Sequence, residues 1–347
     1  MKVAILLVQV PFLRGGAEAH AEALRRALVA RGVETDIVTI PFKWYPPERI
    51  LDCMLAGRLV DVTEVNGHKI DRVIAMKFPA YYAPHPNKVG WVIHQHRQAY
   101  ELFGTEFGDL HQTPEGRAVA NEIRAWDNRL LPELKPLFTN SRTVSNRLLE
   151  HNGIESEPLY PPPLSPEQFR PGEYGNYVLY PGRFDTLKRQ HLLVEAVGLS
   201  RGRWKAVFIG PTDGPYAEAL KRRVVELGVE DRVRILGNVP ETEKASLYAG
   251  ALAVYNGVYQ EDYGYVTIEA FLSAKPVLTH HDSGGPTEFV EDGRNGYLCE
   301  ADPSRIAARF DWLEGHRAAA REAGENGKRL IADRRIDWDH TIERLLA

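Results

Sequence analysis

Short apolar runs alternate along the chain with longer stretches whose apolar residues recur at helical spacing. Residues 3–8 form an apolar run of strand length. Residues 16–30 carry Ala17, Ala21, Leu24 and Leu28 on one helical face and stop at Gly32. Further strands are predicted at 36–40, 73–76 and 90–94. Helices are predicted at 116–133 and 142–151, the second ending at Asn152-Gly153. A strand followed by a helix, repeated, builds a parallel sheet with helices on both faces. Residues 158–166 then hold five prolines, which exclude a helix and a central strand and leave an extended, semi-rigid linker. The alternation restarts beyond it. Strands are predicted at 177–180, 205–209, 233–236, 251–255 and 276–279, helices at 188–199, 215–227, 241–249 and 264–274, and a mostly helical tail from 303.

The pattern therefore predicts an α/β protein of two Rossmann-like, doubly wound parallel-sheet domains, at 1–160 and 176–317. A proline-rich linker at 161–175 joins them, and a helical tail at 318–347 follows. A length of 347 residues fits two domains. Such sheets bind ligands beyond the carboxyl ends of their strands, so the site is expected in a cleft across which the two domains face.

Composition changes this picture little. Hydrophobic residues are 44% and charged residues 26%, ordinary for a globular protein. A net charge of −4 argues against a nucleic-acid partner. Cys53 and Cys299 lie far apart without metal-ligand spacing, and read as idle thiols of a reducing compartment. The first apolar run breaks into Gln9, Val10 and Pro11, which suits a buried strand better than a signal peptide. No run approaches the roughly 18 apolar residues that span a bilayer. A cytoplasmic protein is expected, and peripheral contact with the inner membrane face is compatible with it. The sequence says nothing of oligomeric state.

Candidate chemistry sits at the strand-to-helix turns. In Glu261-Asp262-Tyr263-Gly264-Tyr265-Val266-Thr267-Ile268-Glu269, Gly264 opens a helix whose first amides and dipole form an anion site suited to a diphosphate. Glu269 lies one and a half turns on, within reach of a sugar or ribose hydroxyl. Ser283-Gly284-Gly285-Pro286-Thr287-Glu288 is a second glycine-rich turn, read as leading into another helix. Pro181-Gly182-Arg183-Phe184-Asp185-Thr186-Leu187-Lys188 supplies two cations, Arg183 and Lys188, able to hold a diphosphate and stabilise its charge as it leaves. Arg14-Gly15-Gly16-Ala17-Glu18 is a further turn of this kind, without the G-x-G-x-x-G dinucleotide pattern.

These four elements, taken in their order along the chain, resemble family 4 of the retaining glycosyltransferases ("glycosyl transferases group 1"), which have the GT-B fold. Glu261 and Glu269 match its pair of glutamates separated by seven residues. Gly284, Gly285 and Glu288 match its Gly-Gly-x-x-Glu element. Gly182, Arg183 and Lys188 match its Gly-Arg…Lys element, and Gly15 and Gly16 its N-terminal glycine loop. The resemblance implies that Arg183 and Lys188 bind the donor diphosphate and that Glu261 faces the donor sugar. The backbone from Tyr263 through Gly264 and Tyr265 to Val266 would contact sugar hydroxyls and phosphate. Glu269 would hold the ribose, and the turn of Gly237, Asn238 and Val239 would lie beside the base. The family often has Pro-Phe-Gly where this chain has Asp262-Tyr263-Gly264, which leaves the donor sugar open. The resemblance also implies a histidine beside the anomeric carbon, His94 being the better match and His96 the second, with Arg97 a further contact. The tail would cross back to the first domain.

No cofactor and no metal are implied, the nucleoside diphosphate sugar being a co-substrate. Asp337-Trp338-Asp339 mimics a metal motif of another glycosyltransferase fold but lies in the tail. The expected reaction is transfer of a hexosyl sugar from a UDP- or GDP-type donor to a hydroxyl of a saccharide or lipid-linked saccharide, with retention. No carboxylate pair at glycosidase spacing stands out. The resemblance implies that the leaving phosphate takes the acceptor proton. An epimerase or phosphorylase on the same fold, and a non-catalytic nucleotide-sugar-binding protein, are the competing readings. The aromatic loops Phe42-Lys43-Trp44-Tyr45-Pro46 and Phe78-Pro79-Ala80-Tyr81-Tyr82 suit a sugar or lipid acceptor, or a packed aromatic cluster.

Overall fold

The computed structural model describes residues 1–13 and 15–347. Arg14, part of the first glycine turn in the sequence, lies outside them. The chain runs β1 (Lys2–Gln9), α1 (Gly16–Val29), β2 (Glu34–Pro41), α2 (Arg49–Leu59), a hairpin of β3 (Glu64–Val65) and β4 (His68–Lys69), β5 (Arg72–Lys77), β6 (Lys88–His94), α3 (Pro114–Leu130), β7 (Leu137–Thr139), α4 (Arg142–Asn152) and β8 (Glu157–Pro158). It continues with β9 (Tyr177–Pro181), α5 (Gln190–Leu199), β10 (Lys205–Ile209), α6 (Pro215–Glu226), β11 (Val233–Ile235), α7 (Glu241–Gly250), β12 (Ala253–Asn256), α8 (Tyr265–Leu272), β13 (Val277–His280), β14 (Gly296–Cys299), α9 (Pro303–Gly315), α10 (Arg317–Asp333) and α11 (Trp338–Leu346). Two compact units result. Unit 1 is Met1–Leu164 with Ile336–Ala347, and unit 2 is Ser165–Arg335.

Unit 1 is a six-stranded parallel sheet in the order β2-β1-β5-β6-β7-β8. Its central strands β1, β5 and β6 are buried on both faces, and the side chains of β1 alternate between two cores. Val3, Ile5 and Leu7 enter one, Ala4, Leu6 and Val8 the other. This two-sided burial is why β1 reads as a continuous apolar run. Helix starts follow the sequence. Thr113 caps α3 by accepting from the Gly116 amide at 3.0 Å, and Ser141 caps α4 by accepting from Val144 at 3.0 Å. Helix α11 belongs to this unit. Ile342 and Leu345 enter the core with Trp91, Arg344 pairs with Glu157 at 2.5 and 2.6 Å, and Arg72 donates to the Leu345 carbonyl at 2.8 Å.

Unit 2 is a second six-stranded parallel sheet, ordered β11-β10-β9-β12-β13-β14. The order reverses between β9 and β12, so the crevice beyond those two strands is the expected ligand position. Val178, Tyr180, Phe208 and Tyr255 pack with Trp204 and Phe310 into its core. Helix α10 stays in this unit, with Gly327 against the Phe271 ring of α8.

Several elements differ from the pattern-based expectation. Helix α2 is an addition: its apolar stripe, Ile50, Met54 and Gly57, is short and follows a proline-rich loop. Pro158 lies in β8, but at the sheet edge, where its missing donor is tolerated. The predicted helix at 188–199 is two pieces, a 3-10 turn at Thr186–Lys188 and α5, separated by Arg189 in the left-handed region. The turn at Ser283 leads into only four 3-10 residues, Gly285–Glu288, and then to strand β14. Asn295 closes that short span, donating to the Phe289 carbonyl at 2.9 Å and accepting from the Glu291 amide at 2.8 Å. The aromatic loop at 78–82 is core: Phe78, Tyr81 and Tyr82 are buried. Of the two aromatic loops, only that at 42–46 presents rings, those of Trp44 and Tyr45, to solvent.

Candidate active site

In unit 2 the site begins where β9 ends. Gly182 carries the chain to Arg183, whose side chain is 66% exposed and touches Asp185 at 3.2 Å. Asp185 caps the following 3-10 turn by accepting from the Lys188 amide at 3.1 Å. The Tyr180 hydroxyl donates to the Lys188 carbonyl from below. The turn thus aims the Lys188 ammonium outward, where it forms an ion pair with the Glu261 carboxylate. Both side chains keep about a quarter of their surface in solvent, 25% and 26%.

Glu261 is held by its backbone. Its amide donates to the Ser283 carbonyl and its carbonyl accepts from the Gly285 amide, each at 2.8 Å, and it forms a parallel bridge with Gly284. Gly284 has φ of 72°, and a Cβ there would stand 2.5 Å from the Glu261 carbonyl oxygen. Only glycine fits. The two motifs that looked separate in sequence are therefore one built object. Three residues on, Gly264 turns the chain at φ 93° into α8, and a Cβ there would meet Pro286 at 2.8 Å. The start of α8 carries the positive end of the helix dipole, with the Thr267 amide donating to the Gly264 carbonyl at 2.9 Å. Asp262 and Tyr263 are buried, the Tyr263 ring packing on Phe289 and Tyr265.

Glu269 lies a turn and more into α8 and is buried. Its carboxylate accepts from Lys244 at 2.8 Å and from the Tyr248 hydroxyl at 2.7 Å. Burial alone would lower the Lys244 pKa, but the Glu269 charge holds it above the usual lysine range. Sequence pattern misses both partners, because they project from α7, which carries no motif. Gly237, Asn238 and Val239 follow β11, and the Gly237 carbonyl accepts from the Gly210 amide at 2.8 Å. Glu288 closes the 3-10 turn begun by Gly285.

In unit 1, Gly15 and Gly16 start α1 at the end of β1, and the Gly15 amide donates to the Glu18 carboxylate at 2.7 Å. A Cβ on Gly16 would meet no described heavy atom within 4 Å, so packing does not demand glycine there. His94 ends β6, its Nδ1 2.5 Å from the Gln95 carbonyl. A carbonyl only accepts, so Nδ1 is the donor in that contact. His96 packs against Phe42 and Phe78, and burial, aided by His94 and Lys77, pushes its ring down to about 3. Arg97 pairs with Glu101 at 2.6 Å, and Glu101 also holds Arg147 at 3.1 Å. Asp337 caps α11, accepting from His340 at 2.7 Å, and Asp339 pairs with Arg31. Those two aspartates are thereby occupied in the tail.

A family model described as glycosyl transferases group 1 matches residues 164–330. Over this stretch, most of unit 2, the chain is similar to the glycosyl transferases group 1 family. A relative from Nocardia farcinica, a D-inositol 3-phosphate glycosyltransferase, is 26% identical over 78% of this chain and 67% of its own. Sucrose-phosphate synthase from Thermosynechococcus elongatus superposes with a TM-score of 0.81 at 18% identity, over 99% of this chain and 97% of the other. Anabaena HepE, solved in complex with UDP-glucose, gives a TM-score of 0.71 at 18% identity, over 100% and 98%. Both likenesses are of fold, and the chain has the GT-B fold. No helix among the described residues is long and apolar enough to cross a membrane.

Proposed function

We propose that this chain is a glycosyltransferase that moves a hexosyl sugar from a UDP- or GDP-type donor to a hydroxyl of a saccharide or lipid-linked saccharide, with anomeric retention. The observation that carries the reading is the Lys188–Glu261 pair beside the start of α8. A cation and a helix N-terminus there suit a diphosphate, and a carboxylate next to them suits the hydroxyls of the attached sugar. Arg183 adds an exposed second cation at the same strand end. As the diphosphate leaves, charge grows on its oxygens, and Lys188, Arg183 and the amides at Gly264 stabilise it. Lys188 serves both partners, turning between carboxylate and phosphate. Glu269, braced by Lys244 and Tyr248, takes the ribose, and His94 contacts the donor sugar. The chain's own cations do the electrostatic work in this scheme. UDP-glucose is the first probe, since a protein of the same fold was solved with it.

The test is a thermal-shift series with UDP, GDP and their glucose and mannose conjugates, followed by NMR of the transfer or hydrolysis product. A bound donor raises Tm by mass action. The reading predicts a shift with one diphosphate series and a product of unchanged anomeric configuration. No shift with either series, or an inverted product, would overturn it.

A further inference from the structure

Arg189 carries no motif, yet it is the most heavily bonded cation near the site. It follows Lys188 directly, with φ of 52°, a conformation disfavoured for any residue with a Cβ. Its Nε donates to the Gly257 carbonyl and its Nη2 to the Val258 carbonyl, both at 2.7 Å. Nη1 and Nη2 grip the two carboxylate oxygens of Asp282, again at 2.7 Å each. The guanidinium also lies over the Tyr259 ring, 5.5 Å from its centre. Only 11% of the side chain is exposed.

Each anchor point belongs to a different turn of the site. Gly257 and Val258 open the loop that follows β12 and leads to Glu261. Asp282 opens the turn after β13 that leads to Gly284. Lys188 is the preceding residue on Arg189's own chain. The backbones support the same tie: Tyr259 donates to the Leu187 carbonyl at 2.8 Å and Gln260 to the Asp282 carbonyl at 2.9 Å. One guanidinium therefore joins the three turns that carry Lys188, Glu261 and Gly284.

We infer that Arg189, with Asp282, is a positioning residue for the transfer step: it sets the Lys188 ammonium against the Glu261 carboxylate without touching the donor itself. The inference rests on the donor-site reading above. Its physical basis is the planar fork. Four hydrogen bonds in fixed directions orient two peptide planes and a carboxylate together, which a lysine, a single point charge on a flexible stem, does not do. The left-handed backbone is retained because it turns the guanidinium inward while Lys188 points out.

The test uses the full chain as R189K and R189G. R189G suits the left-handed backbone and removes the fork, and R189K keeps the charge and removes the planarity. UDP and GDP affinities are read by calorimetry, and kcat and KM from release of nucleoside diphosphate from UDP-glucose and GDP-mannose. In R189K, kcat is expected to fall on the order of a hundredfold, as for a displacement of about 1 Å at a reacting centre, while diphosphate affinity stays within about tenfold. R189G should match it if it folds, and R189K carries the test if it does not. Turnover of R189K within about threefold of the unsubstituted protein overturns the inference alone. So does a loss of diphosphate affinity as large as the loss of kcat, which would make Arg189 a plain structural staple. If the unsubstituted protein binds neither diphosphate, the donor-site reading falls and takes this inference with it.

Discussion

Beyond the strands of unit 2, two charged pairs stand on turns and stay within reach of solvent, Arg183 with Asp185 and Lys188 with Glu261. Beyond those of unit 1, the strongest polar node is sealed. Asp127 of α3 is fully buried and takes hydrogen bonds from the hydroxyls of Tyr81, Tyr82 and Tyr100 and from the Gln95 amide, at 2.7 to 3.0 Å. Gln95 is the residue after His94, so this node fixes the strand end that carries the histidine. The two sheets have the same strand number and the same parallel pairing. The difference lies in what their polar residues satisfy. In unit 2 those two pairs stand at the solvent edge, where the proposed donor would enter. In unit 1 the polar residues complete the fold, and under the proposed function ligand contact would be left to backbone at Gly15-Gly16 and to the edge of the His94 ring.

Substitutions at the two centres should therefore fail in different ways. The largest effect is expected from Lys188→Ala. Removing a preorganised cation from a developing phosphate charge costs about 3–4 kcal/mol of transition-state stabilisation, a loss of roughly 10²–10³ in kcat/KM. The fold should hold, because the pair it breaks is partly solvated. Steady-state kinetics beside a thermal melt check this. Equal losses in Tm and turnover would erase the contrast with unit 1.

Next comes Asp127→Ala, with the opposite signature. Three hydroxyls and an amide lose their acceptor inside a packed core, and about 3 kcal/mol of stability goes with it. Diphosphate binding to unit 2 should persist below the new Tm. A urea melt read by tryptophan fluorescence, with calorimetric titration of UDP or GDP below the transition, tests both halves.

Much of this organisation is legible in sequence, and the illegible part has a common cause. β1, β9 and β10 announce themselves because both faces of their sheets are covered, and α1 because its buried residues recur on one side. The Glu261–Gly264 and Gly284–Glu288 turns are legible as well, since a backbone at positive φ or under a neighbouring carbonyl demands glycine. Contacts that depend on distant elements are not. Lys188 meets Glu261 across 73 positions, and Glu269 meets Lys244 across 25. Arg189 looks like any exposed helix-start arginine until the loops after β12 and β13 close on it. Tyr81 and Tyr82 look like a ligand platform until α3 brings Asp127 over their hydroxyls. Strand β14 is hidden for another reason. Its run, Gly296 to Cys299, opens on a glycine and is only half-buried at Leu298 and Cys299, so it does not stand out as an apolar run.

A smaller effect separates the units by acid. His20 and His96 of unit 1 are both pushed down to about 3, chiefly by burial, and His280 of unit 2 to about 4. A histidine whose folded pKa lies below its unfolded value keeps its native state neutral while the unfolded chain takes up a proton. Stability is thus lost as pH falls from about 6.5 toward 3, by up to about 1.4 kcal/mol per pH unit for each such group. Burial raises Asp127 above the usual carboxylate range, which works in the other direction and offsets part of the loss at the acid end. Burial lowers His191 of unit 2 as well, so each unit holds two such histidines, but the two pushed furthest down are in unit 1, which should be the acid-sensitive half. His20→Phe, which keeps the edge-on ring contact with Trp91, should flatten the slope of urea stability between pH 6 and 4 by about one histidine's share. An unchanged slope would mean that the His20 environment already admits a proton.

The smallest effect tests the tail of unit 1 against the turns of unit 2. Asp337 and Asp339 share the spacing of a metal-binding pair, yet their roles here are local. Asp337 caps α11 and Asp339, 85% exposed, reaches Arg31. An exposed ion pair contributes little, since its charges remain hydrated and its side chains lose rotamer freedom by pairing. Asp339→Ala should leave Tm within about 2 °C and turnover within about twofold of the unsubstituted protein. Asp337→Ala should cost a little more stability, through the lost cap at the start of α11, and again spare turnover. The contrast with Lys188→Ala is the point of the pair. If turnover fell in Asp339→Ala while Tm held, the chemistry would extend to the tail, and the division between a fold-completing unit 1 and a ligand-facing unit 2 would have to be redrawn.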